Sequence, residues 1–114
     1  MESNKFIGVL VQSRITVKLR HWKTTSDVEH RYLDEYYNAT GDIVDSFTEK
    51  LQGHMGGRLD IQVPASMPTD PIPHLKEIKR ITTSVRDNYP TDLQNILDEL
   101  LGVINETLFL LSLK

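Results

Sequence analysis

The sequence predicts an all-α protein that folds as a four-helix bundle. Apolar residues recur at intervals of three and four along four segments, two S/T-x-x-E/Q patterns mark helix starts, and prolines gather in one central stretch. The 114 residues fit one domain, spanning residues 1–114, because domains cluster near ~100–150 residues. A composition of 39% apolar and 25% charged residues, with a mean hydropathy of -0.34, is typical of a globular protein.

The first two helices are predicted over residues 3–22 and 27–54. Five apolar residues of the first helix share one stripe, which is expected to face the core: Ile7, Val11, Ile15, Leu19 and Trp22. Ser26 and Glu29 form a capping box that starts the second helix. Its end is predicted at Gly53 or at the Gly56-Gly57 pair, because glycine readily adopts the left-handed conformation that ends helices.

A long crossover and two further helices follow. Residues 58–73 contain four prolines, which break a helix interior, so this stretch is predicted to link two helical hairpins. The third helix is predicted over 74–88, with His54 and His74 flanking the link on the surface. The fourth, over 91–112, is predicted to start with a capping box at Thr91 and Gln94. Its apolar stripe is wide enough to predict contact with a second subunit through four residues: Leu101, Leu108, Phe109 and Leu110.

Composition argues against several classes of function. Cysteine is absent, so any metal must bind His and carboxylates. The net charge is -3 and neither end carries a basic tail, so nucleic-acid binding is not expected; its best support is a basic cluster on the third helix, at Lys76, Lys79, Arg80 and Arg86. Apolar runs fall far short of the ~20 residues that span a bilayer, and the start MESNK lacks a signal peptide's apolar segment. We therefore expect a cytoplasmic protein without a membrane partner.

Four residues of the second helix indicate a metal site: His30, Asp34, Asp45 and Glu49. At about 100° per residue they lie within about 100° of one another, beside the core stripe. Imidazole and carboxylate ligands suit divalent iron or manganese. Asp45 lies ~17 Å along the helix from Asp34, so the two pairs can share a metal only if a second subunit contributes an antiparallel copy of this helix. The alternative is an ordinary solvated acidic face.

Together with the preceding His21-Trp22, these residues resemble the mini-ferritins, the Dps-type proteins. The shared pattern is His-Trp at the end of the first helix, then HxxxD, then DxxxE, then Gly-Gly. Here it occupies His21-Trp22, His30 to Asp34, Asp45 to Glu49, and Gly56-Gly57. The resemblance implies a ferritin-like bundle and iron ligation, with manganese or zinc as alternatives, across a two-fold dimer interface. The implied ligands are His21, His30, Asp34, Asp45 and Glu49.

The chain also resembles a group of short ferritin-like proteins of tailed bacteriophages. The shared stretch reads HWKT, EH, LDEYY and DSF.E..QG, followed by a leucine-rich final helix, and it covers nearly the whole chain. This resemblance implies a phage protein in the host cytoplasm and carries no activity. The spacing from His21 to His30 is three residues shorter than in the mini-ferritins, which is expected to shift His21 relative to the site. The chain is also shorter, its third helix is reduced and it has no basic tail, so cage assembly and DNA binding are not implied.

Two functions follow as hypotheses. In the first, the protein is a metal-binding homodimer or larger oligomer whose shared site oxidises Fe²⁺ with peroxide or oxygen. In the second, it is a non-enzymatic phage protein that uses the bundle to bind a host or phage protein or to sequester a ligand. The acidic face would then be solvated or would pair with Arg and Lys of the partner.

Overall fold

The computed structural model describes residues 1–113, and it confirms the all-α four-helix architecture. The helices are α1 (Ser3–Lys23), α2 (Asp27–Met55), α3 (Pro71–Arg86) and α4 (Thr91–Leu111). No residue between 1 and 113 is in a β-strand. The bounds of α1, α2 and α4 lie within one residue of the predicted ones.

Helix α2 starts at the predicted position through the serine half of the capping box, while the Ser26 amide bonds to the Thr24 hydroxyl oxygen. The Ser26 hydroxyl oxygen accepts a hydrogen bond from the Glu29 amide at 3.2 Å. At the other end, Gly56 has a φ of 69°, and its amide donates to the Gln52 carbonyl. A residue with a Cβ would be strained in this left-handed conformation, so glycine sets the end of the helix.

The predicted start of α3 was wrong by three residues. The helix begins at Pro71 rather than at residue 74, and both Pro71 and Pro73 lie in its first turn. First-turn amides have no partner within a helix, so proline loses nothing there, and its fixed φ suits the helix. The first amide that needs a partner, that of His74, donates to the Asp70 carbonyl at 3.0 Å.

The predicted capping box of α4 was also wrong. Thr91 is already helical, and the capping position falls to Pro90, whose side chain makes no hydrogen bond. The Pro90 carbonyl accepts from the amides of Leu93 and Gln94. The Gln94 side chain reaches back two residues further than predicted and donates to the Tyr89 carbonyl at 2.9 Å.

The helices form a square in which α1 packs against α2 and α3, and α4 packs against the same two. Helices α2 and α3 run in parallel across the diagonal, so the crossover must return along the length of the bundle. It passes directly over Gly8, where a Cβ would stand 1.7 Å from the Gln62 carbonyl oxygen. The Gln62 amide donates to the Asn4 carbonyl at 3.2 Å. This close approach requires glycine at position 8.

The core-facing side of α1 differs from the predicted stripe. Ile7 is buried, but Ile15, Leu19 and Trp22 are exposed. The face that packs on the core is rotated about the helix axis by more than a quarter turn from the predicted one. It contains both apolar and polar residues: Phe6, Leu10, Ser13, Thr16, Val17 and His21. Polar residues are tolerated inside because hydrogen bonds satisfy them.

A buried hydrogen-bonded chain joins α1, α2, α3 and the crossover. Tyr36 donates to the Ser13 hydroxyl oxygen at 3.3 Å, and Ser13 donates to His74 Nε2 at 2.7 Å. His74 Nδ1 donates to the Pro68 carbonyl at 2.8 Å. Burial lowers the pKa of His74 and raises that of Tyr36 to about 12, so both are neutral. The expectation of a surface His74 was therefore wrong.

Candidate metal centre

The corner between α1 and α2 is a short, tightly bonded connection. Glu29 is buried, and its carboxylate accepts hydrogen bonds from Arg20 at 3.0 Å and from the Thr24 hydroxyl at 2.9 Å. The Ser26 amide donates to the same Thr24 hydroxyl oxygen at 3.1 Å. These bonds fix how α2 leaves α1, and they bring His21 beside His30.

The rings of His21 and His30 stack with their centroids 3.9 Å apart and an angle of 16° between their planes. Each ring bonds to the backbone of the other residue. His30 Nδ1 donates to the His21 carbonyl at 2.9 Å, and His21 Nδ1 donates to the His30 carbonyl. A carbonyl can only accept, so both Nδ1 atoms carry a proton, and Nε2 holds the lone pair of each neutral ring. Metal-binding histidines are commonly oriented in this way.

Asp34 lies beside the histidine pair, one turn after His30. Its Oδ1 is 3.8 Å from His21 Nε2 and 2.9 Å from Lys18 Nζ. The hydrogen bond from Lys18 lowers the pKa of the Asp34 carboxyl, which is therefore ionised at neutral pH. The Lys18 ammonium also lies 4.8 Å from the centre of the Tyr37 ring and 5.6 Å from that of Trp22. The Lys18 ammonium therefore already occupies a position beside the Asp34 carboxylate.

Asp45 and Glu49 do not join the other three predicted ligands. Both are exposed on α2, ~17 Å and more along the helix from Asp34. Glu49 lines a shallow cleft of about 430 Å³ at the end of α2. Within residues 1–113, no three His, Asp or Glu side chains stand close enough together to hold one ion.

The α1–α2 corner supplies only some of the ligands that a metal site needs. Two ligand atoms on one ion lie about 3.0–3.4 Å apart when the bonds are about 2.0–2.1 Å long, so His21 Nε2 and Asp34 need only a small closure. An imidazole lone pair lies in the plane of its ring, so the Nε2 lone pairs of two stacked rings do not point at the same position. One histidine must turn, or a second chain must supply further ligands, before the coordination is complete.

A sequence profile of a family of unknown function, DUF5856, matches residues 21–111. The chain belongs to this family. It is also 24% identical, over 115 residues, to an uncharacterised 14.6 kDa protein of Enterobacteria phage T4, encoded in the mobD-ri intergenic region. That match covers 99% of this chain and 90% of the phage protein. No solved structure matches the chain.

Sequence reasoning missed the contribution of Lys18 to this corner. Lys18 precedes His21 by three residues, so the two share a face of α1, and this spacing was a signal that could have found it. Arg14, one turn further back, lies 4.2 Å from the centre of the Tyr37 ring and donates to the Tyr37 carbonyl. Basic side chains of α1 therefore cover the part of α2 that precedes Asp45.

A groove of about 740 Å³ on another side of α1 was also missed. Its walls come from α1, the α1–α2 corner and residues 65–69 of the crossover, and include Leu19, Arg20, Lys23 and Met67. The sequence carried no signal for it, because the wall formed by the crossover depends on the anchoring of Gln62 and Pro68 to other elements. No helix among residues 1–113 is long and apolar enough to cross a membrane.

Proposed function

We propose that this protein is a ferritin-like, metal-binding oligomer with iron as its preferred metal and manganese or zinc as alternatives. His21, His30 and Asp34 of one copy meet Asp45 and Glu49 of a second copy around the ion. The observation that carries the proposal is the histidine pair: residues from two helices lie together beside a carboxylate, and each Nδ1 is held by a carbonyl. That arrangement leaves Nε2 for a metal.

Each residue has a distinct part in this proposal. His21 and Asp34 provide the first two ligand atoms, 3.8 Å apart before an ion arrives. Lys18 would have to release Asp34 for a metal to bind, because both cations would compete for the same oxygen. Asp45 and Glu49 are exposed and therefore available to another chain. The carboxylates favour ferric over ferrous iron by charge, so Fe²⁺ bound there is a substrate for oxidation by peroxide or oxygen.

A second candidate function is non-enzymatic binding of a phage or host protein, or sequestration of a ligand. Two observations favour it. Ile15, Leu19 and Trp22 expose apolar surface along α1, and the 740 Å³ groove beside them is of a size that holds small molecules. In this alternative the stacked histidines only fasten the α1–α2 corner.

Metal binding distinguishes the two candidates. Protein purified without chelator is titrated with Fe²⁺ under anaerobic conditions, and with Mn²⁺ and Zn²⁺, while heat and bound metal are measured. We expect His30→Gln and Asp34→Asn to weaken binding at least about tenfold. Lys18→Met should strengthen it, because the competing ammonium is gone.

His54→Gln is the matched control, since His54 is an exposed histidine paired with Asp92, remote from the corner. Its binding should equal that of the wild type. If the wild type takes up no metal, or if all variants bind alike, the metal proposal is wrong and the binding-protein candidate stands.

A further inference from the structure

Helix α1 carries an apolar stripe on its outer side. We call Ile15, Leu19 and Trp22 the α1 stripe; their spacing of four and three residues puts them on one face, and they are 45%, 51% and 67% exposed. Trp22 is the only tryptophan in the chain. Other large exposed apolar residues are scattered singly near chain ends, helix ends and the crossover. Three adjacent ones on a helix face are typical of a surface that another molecule covers.

The charges around the stripe indicate what kind of surface it fits. Helix α1 contains five Lys and Arg residues and no Asp or Glu. Helix α2 contains seven Asp and Glu residues and two Lys and Arg residues. Three of its carboxylates are exposed in the second half of the helix, at Asp42, Asp45 and Glu49. Arg14, Lys18 and Arg20 already bond to α2 of their own chain, which leaves the exposed Lys23 at the end of the stripe. The acidic outer face of α2 of a second copy complements this charge.

The stripe is also continuous with the incomplete metal centre. Trp22 directly follows His21, and Lys18 lies over the Trp22 ring while it bonds to Asp34. A second copy that brings Asp45 and Glu49 to the histidine pair must approach this same corner. Its outer α2 surface would then lie across Trp22 and the neighbouring part of α1.

We propose that the α1 stripe is the surface on which a second copy of this chain sits, with the acidic outer face of α2 of that copy against the end of the stripe at Lys23. The choice of a second copy rests on the proposed function, because the centre lacks ligands that only another chain can supply. A standard interface buries about 800 Å² per partner, a modest part of the 6313 Å² surface of this chain. The α1 stripe supplies its apolar centre, and Lys18 and Lys23 belong to its polar rim.

The single tryptophan makes the interface directly measurable. Sedimentation velocity of the full chain in chelator should give a mass of twice 13.1 kDa at micromolar concentration. Over the same concentrations the Trp22 fluorescence should shift to the blue, because a mostly exposed indole becomes covered. A mass of 13.1 kDa throughout, with unchanged emission, would overturn the proposal.

Two variants locate the contact. Ile15→Ser/Leu19→Ser keeps the tryptophan and alters only exposed side chains, so it should raise the dimer dissociation constant at least about tenfold without unfolding the bundle. Phe109→Ser tests the competing surface on α4, which the sequence predicted as a subunit contact and where Phe109 is 63% exposed. The proposal expects it to dimerise like the wild type. Circular dichroism melts verify that both variants fold. Dissociation by Phe109→Ser but not by the double variant would place the contact on α4 and overturn the proposal.

Metal titration separates the two proposals. A dimer that forms through the α1 stripe but takes up no Fe²⁺, Mn²⁺ or Zn²⁺ contradicts the proposed function and supports the interface. A monomer that binds metal at full affinity contradicts the interface and leaves the corner as a metal site within one chain.

Discussion

The histidines of this bundle occupy two environments that differ in the use of the second ring nitrogen. In the core, His74 donates through Nδ1 to Pro68 and accepts through Nε2 from Ser13, so both nitrogens serve the fold. At the corner, His21 and His30 each donate through Nδ1 to a backbone carbonyl. Nε2 is not used in these two bonds, and that of His21 lies 3.8 Å from Asp34 Oδ1. A structural histidine is therefore distinguished from a candidate ligand by its second nitrogen, and hardly by its burial, since His21 is buried as well.

The largest expected effect on the free energy of unfolding comes from replacing the core histidine, and a corner histidine serves as the comparison. His74→Ala leaves Ser13 and the Pro68 carbonyl without their buried partner and opens a cavity, so we expect a loss of about 3 kcal/mol of unfolding free energy. His30→Ala removes one hydrogen bond at the surface and should cost about 1 kcal/mol. Urea unfolding of both variants measures the difference. Equal losses would show that the two environments are not energetically distinct.

The second prediction concerns the carboxylates assigned to the partner copy. Bound metal should stabilise the wild type by about 2.7 kcal/mol at a hundredfold excess over the dissociation constant. Asp45→Asn/Glu49→Gln should abolish that gain, and it should slightly stabilise the metal-free dimer because the acids no longer repel one another. The measurement is a thermal melt of both proteins with and without Fe²⁺ in the absence of oxygen. An unchanged metal response in the double variant would exclude these two residues as ligands.

The smallest expected effect is a pH dependence from His74. Burial holds its pKa below the ordinary value of 6.5, so the unfolded chain binds a proton that the folded chain does not. This contribution to stability is complete above pH 6.5 and is lost as the pH falls towards the folded pKa, by up to about 1.4 kcal/mol per pH unit.

Urea titrations between pH 7 and pH 5 measure that slope. His74→Gln removes the titrating group and keeps every other histidine, so its slope should be smaller than that of the wild type. Identical slopes in the two proteins would show that His74 does not remain neutral in the folded state.

Local signals made the helices predictable, whereas the choice of core face depended on distant residues. Ser26 and Gly56 fix the ends of α2 through contacts within four residues. Helix α1 offers two apolar stripes, and the sequence gives no local reason to prefer the one with Phe6, Leu10 and Val17. The buried face depends on contacts with distant residues: Ser13 bonds to Tyr36 and His74, which lie 23 and 61 residues away, and Phe6 packs edge-on against Phe47.

The candidate metal centre was predictable only in part, because part of it also depends on contacts that are not local in the sequence. The short connection between α1 and α2 stacks His21 on His30 and leaves Asp34 Oδ1 3.8 Å from His21 Nε2, but that these residues bind metal stays a prediction. Asp45 and Glu49 share their face of α2 but stay apart from them, because a straight helix keeps residues eleven apart at ~17 Å. That all five residues ligate iron stays a prediction, and it depends on a second chain.

The crossover that passes close over Gly8 is the covalent link between the two helical hairpins. Residues 62–68 are tied at one end to Asn4 and at the other to His74, while their middle lies exposed on the surface. The two hairpins also pack directly on each other, through α2 against α4 and α1 against α3, around one shared core. A cut near Ala65 would therefore separate the chain into two helical hairpins that can still recombine through their shared core, as fragment complementation does. The covalent link sets the order of the helices, and the core holds them together.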